Sequence, residues 1–221
     1  MSKGTILKSA YLLVTIPKTI IGSILLAFDI FQLRGKLEKC VKIVDVKRSE
    51  IPDIYTSYLV AAEDHRSEFH CGIDQVGILR ALYKKIFSSE IQGASTIEQQ
   101  FVRVVIDDYS YSLQRKIKEQ LLAVLLAKKR SKADIAKAYL AIAYYGHNCE
   151  GVEGITNLVG NDLMVVPENQ IISIMARLKY PKPSVNVKKW EKRLNQRVTY
   201  IKNRHQQSAN KSRRRVLRTV A

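Results

Sequence analysis

The chain has 221 residues, and its hydrophobic fraction of 46% is enough for a folded core and excludes wholesale disorder. Ten Gly and five Pro exclude a collagen-like or low-complexity architecture, and three Cys without a Cys-x-x-Cys spacing disfavour a disulfide framework or a zinc site. The net charge of +17 is uneven, because residues 182–221 hold thirteen Lys or Arg and one acid, a net +12. Such an excess attracts nucleic acid, an anionic membrane or a phosphorylated substrate, without choosing among them.

The first predicted element is an apolar helix over residues 11–33, preceded by a short basic N-terminus over residues 1–10. Its length matches the ~20 residues that a helix needs to cross a bilayer. Pro17 and Lys18 weaken the prediction, because proline kinks a helix and a charge near the bilayer centre costs ~2.5–3.5 kcal/mol. A signal peptide is disfavoured, since no small-residue cleavage site follows. A core or interfacial helix is the second alternative, and we favour a transmembrane or membrane-dipping anchor over it. Basic residues flank both ends, so charge alone does not set the orientation.

Beyond a linker predicted over residues 34–51, the sequence predicts successive helices. Apolar residues at helical spacing recur in four further stretches: 52–63, 73–87, from 113 onward, and 167–178. Ser131 with Asp134 is typical of a helix start, and we expect the helix that follows to end at Gly146. No alternating pattern of convincing length predicts a strand. The expected fold class is therefore mostly α.

Titratable side chains follow the first of these helices, where Glu63 and Asp64 precede His70. A carboxylate serves as a general base when it is held near the proton that it must remove. A solvated, charged helix end has the same composition and is the commoner occurrence of such a run. This segment alone does not establish a site.

A second segment carries hydroxyl and amide side chains at the start of a helix, namely Ser95, Thr96, Gln99 and Gln100, with Arg103 one turn later. We expect Ser95 to cap the helix, which would leave backbone N–H groups directed at an anion. Neutral donors of this kind suit sugar hydroxyls or phosphate oxygens. A plain capped helix explains the segment equally well.

The third segment places cations around a carboxylate. On a helix, Arg115 and Lys116 lie four and three residues before Glu119, so both can reach it, and Lys118 adds a further charge. Such a group could orient cations around a diphosphate or hold a divalent cation. A surface ladder of ion pairs has the same spacing and contributes little to stability.

Together, the segments resemble in order and spacing the motifs of the peptidoglycan glycosyltransferases, glycosyltransferase family 51. The first family motif, E-D-x-x-F-x-x-H-x-G, is matched by Glu63, Asp64, His70 and Gly72. The second, G-G-S-T-I-T-Q-Q, is matched by Gly93, Ser95, Thr96, Ile97, Gln99 and Gln100. The third, R-K-x-x-E, is matched by Arg115, Lys116 and Glu119. A fourth, I-L-E-x-Y-L-N-x-x-Y-x-G, is met by Ile135, Tyr139, Leu140, Tyr144 and Gly146.

The resemblance implies a lysozyme-like helical glycosyltransferase domain over residues 52–201, with an N-terminal membrane anchor helix and a basic C-terminal tail over residues 202–221. It implies a polymerase of lipid II, with inverting transfer from an undecaprenyl-diphosphate donor to a sugar 4-hydroxyl. Glu63 would be the general base, and Glu119 would organise cations or a metal ion at the diphosphate. Substrate contacts are expected from Asp64, His70, Ser95, Thr96, Gln99, Gln100, Arg103, Arg115, Lys116 and Lys118.

The same resemblance implies the surroundings of the protein. No cofactor is required, and a divalent cation (Mg²⁺ or Mn²⁺) at the diphosphate, with Glu119 as a ligand, is the one candidate. The expected partners are lipid II, the growing glycan-lipid, an anionic membrane surface under the basic tail, and cell-wall synthesis proteins. The expected location is the bacterial inner (plasma) membrane, with the catalytic domain on its outer face.

Some positions depart from the family motifs: Ser67 for Phe, Ala94 for Gly, Glu98 for Thr, Arg103 for Lys, Tyr111 for Arg, Lys137 for Glu and Ala141 for Asn. Both carboxylates are retained, so an active enzyme is favoured over a degenerate homologue that acts as a scaffold or regulator. A lytic, glycan-cleaving enzyme is disfavoured because the motifs match synthases. A nucleic-acid-binding protein is disfavoured because no recognised motif accompanies the basic tail.

Overall fold

The computed structural model describes residues 3–88 and 93–220, and side chains only as far as residue 211 at the C-terminal end. The chain divides into two compact units. Unit 1 comprises the chain up to Ser49 together with Asp64–Tyr139, and unit 2 comprises Glu50–Glu63 and the chain from Leu140 onward. The described residues are mostly helical, which confirms the predicted fold class.

The elements of unit 1 are helices. They are α1 (Lys3–Ala27), α2 (Leu33–Lys47), α4 (Gln75–Phe87), α5 (Ile97–Ile106), α6 (Leu113–Lys129) and α7 (Lys132–Leu140), whose last residue lies in unit 2. Helices α2, α5 and α6 pack on one another and bury apolar side chains at helical spacing. The α2 contribution is Leu33, Leu37, Cys40 and Val44.

The elements of unit 2 are α3 (Ile54–Glu63), a hairpin of β1 (Tyr144–Gly146) and β2 (Cys149–Glu150), α8 (Gly151–Val159), α9 (Glu168–Lys179) and α10 (Val187–Val220). Helices α3, α9 and α10 pack together around buried side chains such as Tyr55, Leu59, Met175 and Ile201. The ring of His205 on α10 stacks on Tyr58 of α3 with centroids 4.0 Å apart.

Helix α1 is an integral part of unit 1. Tyr11 donates a hydrogen bond to Asp74 (2.7 Å), Thr15 accepts one from Gln75 (2.8 Å), and Lys18 donates one to Gln120 (3.0 Å). These residues recur at i, i+4 and i+7 and so form one polar stripe, whereas side chains on other faces, such as Leu13 and Ile20, are exposed. Lys8–Ala27 is long and apolar enough to cross a membrane by length and composition alone.

The bounds of the first two predicted segments differ from the structure. Helix α1 begins at Lys3, so the predicted basic N-terminus is largely helical, and its first two residues lie outside the described residues. The helix ends at Ala27 instead of residue 33, because Asp29, Phe31 and Gln32 adopt left-handed φ values of 48°, 63° and 56°. The predicted linker over residues 34–51 is for the most part helix α2, whose apolar stripe is buried in unit 1.

The C-terminal half gives further corrections. Helix α7 ends at Leu140, and Gly146 lies in strand β1 instead of ending a helix. A Cβ on Gly146 would lie 2.6 Å from the backbone nitrogen of Lys182, which bridges to it, so this close approach requires glycine. The predicted tail over residues 202–221 continues helix α10 up to Val220, and the side chains of its Arg213–Arg215 cluster lie outside the described residues.

Candidate active site

The centre of the candidate site in unit 1 is the buried carboxylate of Glu119, which is 3% exposed. Arg115 and Lys116, from the preceding turn of α6, approach its two oxygens at 2.6 and 2.7 Å. Arg103 of α5 bonds both oxygens, at 3.0 and 3.2 Å. The spacing prediction for Arg115 and Lys116 is therefore confirmed, and a cation from a second helix joins them.

Ser95 ties the cations of this Glu119 cluster together. Its hydroxyl accepts hydrogen bonds from Lys116 (3.1 Å) and Arg103 (3.3 Å). The prediction that Ser95 caps helix α5 is wrong, because Thr96 is the N-cap and accepts from the backbone N–H of Gln99. The backbone N–H of Thr96 in turn donates to Oε1 of Gln99 at 3.1 Å, and this reciprocal pair of bonds identifies Thr96 as the N-cap.

The Glu119 cluster carries an excess of positive charge. Three cations share one carboxylate, so the group has a formal net charge of +2. Lys118 lies over the ring of Phe31 at 5.1 Å and lines the same cleft as Glu119. Side chains held in this way present fixed positive charge to an anion that enters the cleft.

The Glu119 cluster does not fit a divalent cation at its carboxylate. Both oxygens of Glu119 already accept hydrogen bonds from two cationic groups each, so a metal ion would have to displace them against their own charge. The donor set around Glu119 therefore suits an anion. The metal role predicted for Glu119 disagrees with this arrangement.

A second buried cluster joins the first two motifs within unit 1. One nitrogen of His70 lies 2.9 Å from Asp64, and the ammonium of Lys132 lies 3.4 Å from the other nitrogen and bonds Glu98 at short range. An ammonium group only donates, so Nδ1 of His70 accepts and its Nε2–H donates to Asp64. Asp64, His70 and Glu98 are close enough to share a metal ion, but Lys132 already supplies the cation there.

The remaining predicted contacts of the second motif mostly face inward. Thr96 and Gln99 are 1% and 0% exposed, and Thr96 also donates to the carbonyl of Gly72 at 2.7 Å. Gln100 accepts a hydrogen bond from the hydroxyl of Tyr139 at 2.8 Å. These bonds organise the start of α5, and the substrate contacts expected from the three residues stay predictions.

Gly72 fixes the loop of the first motif against helix α6. Its φ is +85°, and a Cβ there would lie 2.5 Å from the carbonyl oxygen of Ala123. Glycine alone combines that backbone conformation with that close approach. The close approach of α6 thus explains why the motif requires glycine at position 72.

Asp74 caps helix α4 and accepts hydrogen bonds from three residues. Burial opposes its ionisation, but hydrogen bonds from Arg66, the backbone N–H of Gly77 and Tyr11 outweigh burial and hold the pKa of Asp74 below its ordinary value. Arg66 bonds it at 2.9 and 2.5 Å. The charge on Asp74 therefore stabilises this corner of unit 1.

Glu63 ends helix α3 and belongs to unit 2. Nη2 of Arg197 on α10 donates to one oxygen of Glu63 at 2.8 Å and to the carbonyl of Ala62 at 2.5 Å. The guanidinium also lies 4.8 Å from the ring centroid of Tyr200. Two bonds from one nitrogen hold the Glu63 carboxylate against the end of its own helix.

Sequence reasoning did not assign a role to Arg197 or Lys132. Arg197 lies 134 residues from Glu63, and Lys132 lies 34 residues from Glu98, so no helical spacing relates the partners. One signal was present in the sequence. Glu98 replaces a motif threonine, and a carboxylate that is buried requires a compensating cation.

Comparison with known proteins identifies a family that covers most of the chain. Residues 33–206 match the family described as Transglycosylase. The chain is 29% identical over 180 residues to penicillin-binding protein 1A of Mycobacterium tuberculosis, and this aligned region covers 76% of this chain and 22% of that protein. It is 38% and 35% identical over 112 residues to monofunctional glycosyltransferases of Staphylococcus epidermidis and Staphylococcus aureus, covering 51% of this chain and 42% of each relative. The chain thus spans less than half the length of these relatives.

Proposed function

Because the chain belongs to the transglycosylase family, we propose that it polymerises lipid II into the glycan strands of peptidoglycan. The growing glycan, on its undecaprenyl diphosphate, is the donor, and the 4-hydroxyl of the incoming lipid II is the acceptor. The mostly helical, lysozyme-like fold class and the relatives named monofunctional glycosyltransferase support this proposal. The observation that carries it is the Glu119 cluster, with three cations gathered on one buried carboxylate.

The Glu119 cluster suits the charge of the leaving group. When the bond from the anomeric carbon to the diphosphate breaks, negative charge develops on a phosphate oxygen. Arg103, Arg115 and Lys116 are already oriented by Glu119 and Ser95, so they stabilise that charge without rearranging. Glu119 acts in this scheme as a positioning residue and needs no metal ion.

Glu63 is the general base of the proposed reaction. It takes the proton from the acceptor hydroxyl as the oxygen attacks the anomeric carbon from the face opposite the diphosphate, which inverts the configuration there. One new carbon–oxygen bond forms, one breaks, and the diphosphate leaves with its electron pair. Arg197 anchors one carboxylate oxygen, which restricts the direction from which Glu63 approaches the hydroxyl.

The membrane location follows from the substrates, since both are tethered to the bilayer by their lipids. Helix α1 supplies an anchor for the plasma membrane, with the catalytic domain on the outer face. The basic face of α10 provides further attraction to anionic lipid. Proteins of cell-wall synthesis are the expected macromolecular partners.

The test supplies labelled lipid II to the purified full-length protein and resolves the products by length. We expect polymer from the wild type, a loss of ~10²–10⁴-fold in rate for Glu63→Gln, and ~10²–10³-fold for Glu119→Gln. Glu153→Gln is the matched control, because Glu153 is exposed in the first turn of α8 and should retain full activity. Equal rates for Glu63→Gln and the wild type would refute the assignment of the base.

A second candidate function is a catalytically degenerate homologue that acts as a cell-wall scaffold or regulator. Tyr111, at a position where the family motif has an arginine, is fully exposed and adds no cation to the Glu119 cluster. A folded wild type that yields no polymer but still binds lipid II would support this function. Release of soluble fragments from purified cell wall would instead indicate a lytic enzyme.

A further inference from the structure

A cavity of ≈ 700 Å³ opens between α1, α2 and the end of α6 in unit 1. Its walls are apolar where the helices meet, with Leu26 and Ala27 from α1 and Leu37, Val41 and Val46 from α2. The volume falls within the ~300–1,000 Å³ typical of ligand pockets. The cavity is therefore large enough for an apolar chain.

The rim of the cavity is cationic. Arg34, Lys42, Lys129 and Arg130 line it, against two acids, Glu38 and Asp45. Arg130 binds Asp45 through two hydrogen bonds of 2.6 and 2.5 Å, so these two charges compensate each other. Among the residues that the structure describes, the side chains of Lys42 and Lys129 form no ion pair.

The position of the cavity adds the second observation. Its apolar wall includes the last turn of the helix that is long and apolar enough to cross a membrane. The end of such a helix is where hydrocarbon gives way to charged headgroups. An apolar wall with an excess of cations on the rim at that level matches an anionic lipid with its chain beside the helices and its phosphate at the rim.

We propose that this cavity binds an anionic phospholipid, with the phosphate held by Lys42 and Lys129 and one acyl chain packed between α1 and α2. The lipid fills the space between the apolar helix and the rest of unit 1. A single phosphodiester carries one negative charge, which two lysines and Arg34 outweigh even with Glu38 present.

This lipid site is separate from the Glu119 cluster. The cleft at Glu119 is lined by Lys36 from α2, and none of the residues that line it also lines the cavity. Lys129 lies ten residues beyond Glu119 on α6, or ~15 Å at 1.5 Å per residue. The phospholipid and the substrate diphosphate are therefore bound at different places.

The test uses the full-length protein in detergent and phosphatidylglycerol that carries a photoreactive diazirine at the end of one acyl chain. We expect cross-links on the segments around Ala27 and Val41, reduced at least five-fold in the variant Lys42→Gln/Lys129→Gln. The variant Lys39→Gln/Lys128→Gln is the matched control, since it removes the same charge from exposed neighbours that do not line the cavity. It should retain the wild-type labelling.

Several results would overturn the proposal. Among them are equal labelling of the two double variants, equal labelling by phosphatidylcholine of the same chain length, labelling confined to the exposed face of α1 around Ile20, and full competition by lipid II at stoichiometric concentration. The last would assign the cavity to the substrate. Competition by free inorganic phosphate should be negligible, because it lacks the chain, and full competition by it would likewise refute a lipid site.

Discussion

The ion pair of half-buried Lys132 with the buried Glu98 allows a prediction of stability whose size can be worked out from the structure. The side chain of Glu98 is 2% exposed and that of Lys132 is 33% exposed. Among the described residues, Oε2 of Glu98 has no hydrogen-bond partner, and Lys132 supplies the countercharge at Oε1. Lys132→Met leaves a buried carboxylate uncompensated, which costs ~3–5 kcal/mol. For a chain of this length the midpoint of thermal unfolding should fall by roughly 6–20 °C.

The reverse change should be milder. In Glu98→Thr the lysine can turn to water, and the double variant Glu98→Thr/Lys132→Met removes both charges, so it should be more stable than Lys132→Met alone. Thermal unfolding followed by far-UV circular dichroism measures the cycle, and Lys128→Met, an exposed site on α6, controls for the loss of a lysine. A midpoint for Lys132→Met equal to that of the wild type would refute the reasoning. A double variant less stable than Lys132→Met alone would also refute it.

Three further predictions concern unit 1 and the cysteines. Gly72→Ala should lower the free energy of unfolding by ~1–3 kcal/mol through backbone strain, with the clash against Ala123 in addition. Gly35→Ala, where a Cβ would meet nothing within 4 Å, should be neutral or stabilising. Equal midpoints of denaturation for the two variants would contradict this prediction. The stability advantage of the wild type over Asp74→Asn should be full above pH ~4 and disappear as pH falls through the lowered pKa of Asp74; parallel pH curves would refute it. A maleimide should label Cys71 alone in the native protein, since Cys40 and Cys149 are buried and burial raises the pKa of Cys40 to about 12; rapid labelling of Cys71→Ser would contradict this.

Several helices of the fold could be predicted because their signal is local, although most of the stretch predicted as a linker is helix α2. The predicted stretches 52–63 and 73–87 correspond to α3 and α4, and the pair Ser131 and Asp134 does exchange the hydrogen bonds of a helix start. The hairpin of β1 and β2 was missed because its strands have three and two residues, too short to show alternation. Its stability comes from distant contacts such as that of Gly146 with Lys182.

The candidate site shows the same division between local and distant information. Arg115 and Lys116 reach Glu119 within one helix, so their spacing alone predicted the contact. The bonds from Arg103 to Glu119 and from Arg197 to Glu63 join residues of different helices, and no periodicity encodes them. The choice of Thr96 over Ser95 as the cap also depended on the three-dimensional path of the chain.

The polar stripe of α1 has a consequence for the order of events during synthesis. Tyr11 and Thr15 emerge from the ribosome first, yet their partners Asp74 and Gln75 follow 63 and 60 residues later. A helix delivered early to the lipid bilayer would have to keep these hydroxyls there until the partners are made. Use of α1 as a membrane anchor would therefore couple its insertion to the folding of unit 1, and an unrelated anchor sequence would not replace these hydrogen bonds.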